Sequence, residues 1–115
     1  MGIDLIDSER WESGLRKDKP NVVYILRLCN DDLYIGSTTN FHHRMKDHLA
    51  RLDQGARMTR KNPAIQLMRV ECFGTYNEAR RREMQIKGWT RAKKEALIEE
   101  RTMDLYLLSH GKEPL

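Results

Sequence analysis

Residues 22–38, VVYILRLCNDDLYIGST, place two apolar segments on either side of a polar turn. Val22–Leu28 is dense in β-branched and apolar residues, which favours a strand, and Leu33–Gly36 predicts a second one. Residues 30–32, Asn-Asp-Asp, are of the types that tolerate the left-handed backbone region used in tight turns. The stretch therefore predicts a β-hairpin, and the rest of the fold is arranged around it.

Outside the hairpin, the sequence predicts one more strand and three helices. The first helix is capped by Thr39 or Asn40 and has its apolar positions at Phe41, Met45, Leu49 and Leu52. A strand follows over Ile65–Phe73, with Met68, Val70 and Cys72 on one face. The second helix runs from the capping box Thr75/Glu78 to about Gly88, and the third begins at Thr90. The element order is β-β-α-β-α-α, an α/β fold of the α+β type. We predict an N-terminal extension over 1–20, one domain over 21–100 and a C-terminal tail over 101–115.

The distribution of charge favours a polyanionic partner. Residues 41–94 hold 14 lysines and arginines against 5 acidic residues, whereas the remaining residues hold 7 against 12. A basic middle between acidic ends, with a pI near 9.2, indicates a surface that binds nucleic acid. The alternative is a basic surface that is merely solvated. A small structural or protein-binding role is disfavoured by the same charge, and a protein partner is not evident.

Cysteine content and hydropathy point to the cytoplasm. Cys29 and Cys72 are too few for a disulfide framework, and we expect both to be small buried hydrophobes in a reducing compartment. No apolar run approaches the ~18 residues needed to span a bilayer. The first residues, MGIDLIDSERWESG, are acidic where a secretory signal is basic and apolar. We therefore predict a cytoplasmic protein without a membrane partner.

Three polar residues lie where helical periodicity predicts an inward face. Arg44 and His48 are one turn apart beside the apolar stripe of the first helix, and Glu83 shares a stripe with Tyr76 and Ile86. A buried carboxylate needs a partner, because an unpaired buried charge is very costly. A metal ion or Arg44 could serve, and a salt bridge from Glu83 to Arg44 or Lys87 is the purely structural alternative.

The register of the hairpin decides whether its two tyrosines can cooperate. Tyr24 and Tyr34 are ten residues apart, so they share a face if the loop has three residues and lie on opposite faces if it has two. Residues 30–32 suit a three-residue loop with a left-handed residue, which favours one shared face. Gly36 ends the second strand and, lacking a Cβ, allows a backbone or a phosphate to approach closely.

Together these segments resemble the GIY-YIG nuclease superfamily, in particular its small stand-alone branch. The resemblance rests on VVY at 22–24, YIG at 34–36, TTNFHHRMKDH at 38–48 and EARRREMQIKGW at 78–89, with GARMT at 55–59 followed by Pro63. It covers roughly residues 21–100. The family fold that it implies is a small, mainly antiparallel three-stranded sheet flanked by helices.

The resemblance also implies a role for each of five residues. Tyr24 corresponds to the tyrosine proposed to activate the attacking water, and Tyr34 to the one that positions water or phosphate. Arg44 would contact the scissile phosphate, and His48 stands where the family places a Tyr or His. Glu83 corresponds to the metal-binding glutamate. Tyr24 and His48 are rival candidates for the general base.

The sequence departs from the family pattern at several positions. Residues 21–24 read Asn-Val-Val-Tyr rather than containing Gly-Ile-Tyr, and Ser37 stands where repair-type members have a lysine. The asparagine often found after the metal glutamate is not evident. Candidate nucleic-acid contacts are Gly36, Ser37, Arg57, Arg60, Lys61, Arg80, Lys87, Arg91 and Lys94. None is an obvious base-reading residue, so we expect weak sequence preference.

The resulting prediction is a metal-dependent DNA endonuclease. A single inward carboxylate suits one Mg²⁺ or Mn²⁺ ion, because Mg²⁺ keeps most of its waters and takes further oxygens from a phosphate. Branched, damaged or single-stranded DNA is the expected substrate, in repair or recombination. The alternative is a catalytically inactive nucleic-acid-binding module on the same fold, although binding alone does not require an inward carboxylate.

Overall fold

The computed structural model describes residues 3–5, 17–54 and 63–99. Within them the elements are β1 (Ile3–Asp4), β2 (Asn21–Leu28), β3 (Leu33–Thr38), α1 (Phe41–Gln54), β4 (Ala64–Phe73), α2 (Tyr76–Lys87) and α3 (Arg91–Ile98). The strands form one antiparallel sheet in the order β1-β4-β2-β3. The chain therefore has an α+β fold, and from β2 onward the elements follow the predicted order.

A fourth strand at the β4 edge is the main difference from the predicted sheet. Ile3 pairs with Leu67 and Asp4 with Gln66, and Leu5 beside them is only 2% exposed. Part of the predicted N-terminal extension therefore packs into the core. A strand of two residues is too short to give a periodic pattern, so the sequence did not reveal it. The predicted tail, 101–115, lies outside the described residues.

Residues 29–32 connect β2 to β3, and the bonded pair Leu28 and Asp32 encloses three of them, 29–31, so the loop has the predicted length but begins one residue earlier than predicted. The amide of Leu28 donates to the carbonyl of Asp32 at 2.8 Å, and the amide of Asp31 donates back to Leu28 at 2.9 Å. Asp31 has a φ of 75°, in the left-handed region that Asp adopts more readily than most residues. This loop fixes how the two strands of the hairpin are aligned.

The alignment of β2 with β3 places the two hairpin tyrosines on one face of the sheet. Tyr24 lies opposite Gly36 and Leu26 lies opposite Tyr34. Side chains alternate between faces along a strand, and Tyr24 and Leu26 are two residues apart on β2. The prediction of a shared face for Tyr24 and Tyr34 is confirmed.

The pairing of β4 with β2 shifts between Ile25 and Leu26, which marks a β-bulge. Met68 consequently packs in the same cluster as Ile25, whereas Val70 packs on the Tyr24 side. The predicted alternation, which put Met68 and Val70 on one face, is wrong at Met68 because the extra residue turns its side chain over. A bulge leaves no clear mark in the apolar pattern of a strand.

Helices cover both faces of the sheet around the central strand β2. On one face, Phe41 and Met45 of α1 pack against β2. On the other face, Ala79 and Ile86 of α2 and Leu97 of α3 pack against it. A strand buried on both faces is mostly apolar, which explains why β2 reads as an unbroken apolar run from Val22 to Leu26.

Each of the three helices begins at a capping side chain, and the sequence predicts this role for Asn40 and Thr75 and a helix start at Thr90. Asn40 accepts a hydrogen bond from the backbone amide three residues later at 3.1 Å, and Thr75 and Thr90 do the same at 3.2 Å. Glu78 completes the capping box at the start of α2. The caps fix where α1 and α2 leave the sheet, and these two helices carry the candidate site residues.

In the described part of the chain, no helix has both the length and the apolar character required to cross a membrane. The expectation that both cysteines are buried is wrong for Cys29, which is exposed in the hairpin loop, whereas Cys72 on β4 is half-buried. Cys29 follows the last residue of β2, so it belongs to the turn and not to the core.

Candidate active site

Four rings from two strands and one helix form what we call the aromatic half of the site: Tyr24, Tyr34, Phe41 and His48. The ring of Tyr24 stacks on Tyr34 at a centroid distance of 6.3 Å and meets Phe41 edge-on at 6.0 Å. His48 lies edge-on to both tyrosines, at 5.9 and 5.5 Å. The spacing of Phe41 and His48 along α1, nearly two turns, brings both rings onto the same side of the sheet as the tyrosines.

The phenol of Tyr24 explains the glycine that faces it across the hairpin. A Cβ at Gly36 would lie 2.6 Å from the Tyr24 Oη atom and 2.7 Å from Cζ, which is closer than non-bonded atoms approach. Gly36 is buried, and the space beside it is filled by Tyr24. The structure thus gives a reason for Gly36 other than the predicted approach of a phosphate.

Tyr24 is fully buried, and its hydroxyl lies 3.4 Å from Nε2 of His48. Burial raises the pKa of Tyr24 far above its ordinary value, and the neighbouring Tyr34 and the Glu83 carboxylate raise it further. The Arg44 guanidinium lies beside the phenol. Its charge and hydrogen bond lower the pKa of Tyr24, but by less than burial raises it. At physiological pH, Tyr24 is therefore a neutral phenol.

A second group of residues, which we call the ionic half, surrounds Glu83: Ser37, Arg80 and Lys87. Ser37 Oγ donates to Glu83 Oε1 at 2.6 Å, Arg80 donates to the same oxygen at 2.8 Å, and Lys87 Nζ lies 2.7 Å from Oε2. The side chain of Glu83 is only 6% exposed. Of the structural partners considered from sequence, Lys87 is present, and Arg80 was missed although it lies at the favourable i,i+3 spacing.

The carboxyl of Glu83 is ionised despite its burial. Desolvation raises its pKa, but hydrogen bonds from Lys87, Ser37 and Arg80 outweigh this and hold the pKa below the ordinary value of 4.5. The predicted stripe on α2 is present at Glu83 and Ile86, but Tyr76 is 53% exposed and does not belong to it.

The two halves approach each other from opposite faces of the sheet. Gly36 faces Tyr24 on the α1 side, and Ser37, the next residue of β3, turns to Glu83 on the α2 side. The sequence predicted that the tyrosines, Arg44, His48 and Glu83 share one concave face, and the structure differs at Glu83. Because β3 is the edge strand, Glu83 still lies close enough for its charge to act on Tyr24.

Several of the predicted nucleic-acid contacts are paired within the protein. Arg91 donates to the carbonyl of Asp31 at 2.7 Å and to Glu95 at 2.9 Å, an arrangement that ties α3 to the hairpin loop. Arg80 and Lys87 bind Glu83, as described above, and Lys94 is half-buried on α3. The predicted contacts at Arg57, Arg60 and Lys61 lie outside the described residues.

Glu83 is the carboxylate of the ionic half that could serve as a metal ligand. Within the described ranges, no group of three or more His, Cys, Asp or Glu side chains forms a ready-made metal cage. Mg²⁺ does not require such a cage, since it commonly binds one or two carboxylates together with waters and substrate phosphate oxygens. Glu83 is ionised and can supply that carboxylate.

Comparison with known proteins identifies one domain and a set of similar chains. The model of the GIY-YIG catalytic domain matches residues 20–96. A UPF0213 protein of Haloquadratum walsbyi is 42% identical over 80 residues, which cover 70% of this chain and 88% of the relative. A UPF0213 protein of Bacillus pumilus is 38% identical over 77 residues, or 67% and 76% of the two chains. The solution structure of a UPF0213 protein from Bacillus halodurans is 34% identical, covers 69% of this chain and 82% of that one, and has a TM-score of 0.46.

Proposed function

The chain belongs to the GIY-YIG family, and on that premise we propose that it is a metal-dependent endonuclease that hydrolyses phosphodiester bonds in DNA. The observation that supports this most strongly is the meeting of two unlike groups across β3. A buried tyrosine–histidine pair lies on one side, and a buried, ionised carboxylate lies on the other. Hydrolysis of a phosphodiester needs a group that accepts a proton from water and groups that stabilise charge on the phosphate.

The Tyr24–His48 pair accepts the proton of the attacking water. Tyr24 remains neutral at physiological pH, so it does not act as a standing phenolate base. His48 Nε2 is 3.4 Å from the phenolic oxygen, and an imidazole is the side chain best suited to take up a proton near neutral pH. Tyr24 is fully covered, so a shift must first uncover the phenol. The phenol then takes the proton of the water as it gives its own proton to His48 Nε2, which makes Tyr24 necessary for this step.

Tyr34 of the aromatic half and the neighbouring Arg44 are open to a substrate, since both are half-buried. A guanidinium can bind two oxygens of a phosphate at once, which both orients the group and offsets its charge. The effect of Arg44 on the pKa of Tyr24 places this cation next to the phenol. We assign Arg44 to the scissile phosphate and Tyr34 to positioning the phosphate or the water.

Glu83 holds the metal ion in this proposal. When bound there, a magnesium or manganese ion would supply positive charge that stabilises the phosphate and the leaving oxygen. Ser37 and Arg80 fix the orientation of the carboxylate by donating to Oε1. Glu83 therefore offers a preformed anion, held in place from two directions.

Binding of DNA is proposed to depend on structure more than on sequence. The basic middle of the chain, 14 basic against 5 acidic residues over 41–94, suits the phosphate backbone. Contacts to phosphates position a protein but carry no sequence information. We propose branched, damaged or single-stranded sites as substrates, with a role in DNA repair or recombination.

The experiment that tests this proposal is a cleavage assay with purified protein and Mg²⁺. Linear, flapped, branched and single-stranded DNAs are compared, with RNA of matching sequence and EDTA-treated reactions as controls. We expect Mg²⁺-dependent internal cleavage of DNA, strongest on a branched or flapped substrate. Binding of these DNAs without cleavage in Mg²⁺ or Mn²⁺ would contradict the proposal and favour the inactive binding module.

A further inference from the structure

We propose that Lys87 competes with the divalent metal for Glu83, so that its ammonium group occupies the metal position in the free protein and leaves when the ion binds. The inference rests on the proposed function, because it takes Glu83 as the metal ligand. It adds a property that this function does not require: the metal site is closed by a cation of the chain itself.

The two oxygens of Glu83 differ in how they are used. Oε1 accepts two hydrogen bonds, at 2.6 Å from Ser37 and 2.8 Å from Arg80, which together use its lone pairs. Lys87 Nζ lies 2.7 Å from Oε2 and is the donor to this atom among the described residues. Oε2 is therefore the oxygen through which an ion can coordinate, and Lys87 stands on it.

Lys87 is the partner that can leave. Its side chain is 52% exposed and is in the last turn of α2, whereas the Glu83 side chain is 6% exposed. A lysine ammonium is a compact, hydrated charge on a flexible stem, so it can turn into water without disturbing the helix. Ser37 lies on the sheet and keeps Glu83 in position during the exchange.

The exchange couples the metal to the substrate. An ammonium released from Glu83 would be available to bind a DNA phosphate, and DNA would then favour the form in which Lys87 has left the carboxylate. The free protein should then bind divalent metal weakly, and DNA should increase the metal affinity. By linkage, metal and DNA must strengthen each other's binding by the same factor.

The test measures the Mn²⁺ dissociation constant of the DNA-free protein for the wild type and three variants. Calorimetry gives the constant, and paramagnetic broadening of NMR signals around Glu83 shows where the ion binds. Lys87→Gln removes the proposed competitor. Arg80→Gln removes a cation from Oε1, and Lys46→Gln removes an exposed cation from α1, on the opposite face of the sheet. We expect Lys87→Gln to tighten Mn²⁺ binding by about fivefold, the upper end for an exposed ion pair. Arg80→Gln should have a smaller effect, and Lys46→Gln almost none.

Three results would overturn the competition. These are unchanged or weaker Mn²⁺ binding by Lys87→Gln, equal tightening by Arg80→Gln, or no Mn²⁺ binding at Glu83 in any variant. Cleavage of DNA by the wild-type protein is measured in parallel. If it cleaves with Mg²⁺ while Lys87→Gln fails to tighten binding, only the competition is wrong. If it neither binds metal nor cleaves, the proposed function fails as well.

Discussion

The aromatic and ionic halves contact consecutive residues of β3, yet their chemistry differs. Gly36 lies under the uncharged Tyr24 ring on the α1 side, and Ser37 donates to the charged Glu83 on the α2 side. The pleat of β3 separates the two environments, because neighbouring side chains of a strand point to opposite faces. An edge strand thus keeps a neutral and an ionised group apart while leaving both beside the same edge.

Burial acts on both halves in the same direction, but with different outcomes. Desolvation is the largest influence on the pKa of Tyr24 and also on that of Glu83, and in each case it favours the neutral form. For Tyr24, a single cation, Arg44, opposes it and desolvation prevails. For Glu83, three donors oppose it and the anion prevails. Three donors thus reverse the direction in which burial shifts the pKa of Glu83, whereas one cation does not reverse it for Tyr24.

The largest expected effect comes from removing the anion of the ionic half while keeping its shape. Glu83→Gln should lower Mg²⁺-dependent cleavage by orders of magnitude, because a metal ion supplies several kcal/mol of charge stabilisation. DNA binding without metal, measured in EDTA by fluorescence anisotropy, should persist or tighten, since a negative charge near the phosphate is lost. Cleavage at the wild-type rate would remove Glu83 from the catalytic assignment. A lower melting temperature with unaltered metal dependence would make Glu83 only a structural partner of Arg80 and Lys87.

A smaller but clear loss of stability is expected from crowding the contact between Gly36 and Tyr24. Gly36→Ala places a Cβ 2.6 Å from the Tyr24 hydroxyl, so a buried ring or the strand must move. Overpacking of this kind costs about 1–3 kcal/mol in the free energy of unfolding. Gly74→Ala is the matched control, because its Cβ would meet only Glu78 Oε1, at 3.8 Å. Equal stability of both variants by urea unfolding would show that Tyr24 does not fill this space.

The two halves should also weaken at opposite ends of the pH scale. The folded pKa of Tyr24 is raised above 10.0, so the stability that its neutral form contributes is present below pH 10 and lost as pH rises beyond it. The folded pKa of Glu83 is lowered below 4.5, so its contribution is present above pH 4.5 and lost as pH falls. Unfolding free energies across pH, each compared with Tyr24→Phe or Glu83→Gln, measure these slopes. Parallel curves for wild type and variant would contradict the corresponding pKa direction.

The smallest effect separates cations that are held within the protein from those free to meet DNA. Arg91 is paired with Asp31 and Glu95, so Arg91→Gln should hardly change the salt dependence of DNA binding. Arg81 is exposed on α2, so Arg81→Gln should reduce the slope of log affinity against log salt by about 0.9 if its guanidinium contacts one phosphate. Titrations at several salt concentrations give both slopes, and equal changes in the two variants would contradict the distinction.

Much of the aromatic half could be predicted from the sequence, because local rules determine it. The turn chemistry of residues 30–32 sets the loop length, the loop length sets the register, and the register puts Tyr24 and Tyr34 on one face. Helical spacing then brings His48 to the same side. These inferences use only neighbours along the chain, and for that reason they agree with the structure.

The ionic half could be predicted only in part, because it depends on which face of the sheet each helix covers. The stripe of α2 predicts that Glu83 points inward, but it does not say towards which side of β3. Ser37 is 46 residues away in sequence, and its bond to Glu83 follows from the crossing of α2 behind the sheet. The bulge at Met68 and the two-residue strand β1 were missed because neither leaves a recognisable mark in the periodic pattern of apolar residues.

The most direct test of the division between the two halves is the rate of DNA cleavage by wild type and Tyr24→Phe across Mg²⁺ concentrations. If the aromatic half handles the proton and the ionic half the metal, the rate at saturating Mg²⁺ should fall by about 100-fold or more. The Mg²⁺ concentration giving half of that maximum should stay unchanged, because Tyr24 does not hold the ion. An unaltered maximal rate, or a shift in the half-saturating Mg²⁺ concentration, would contradict the account.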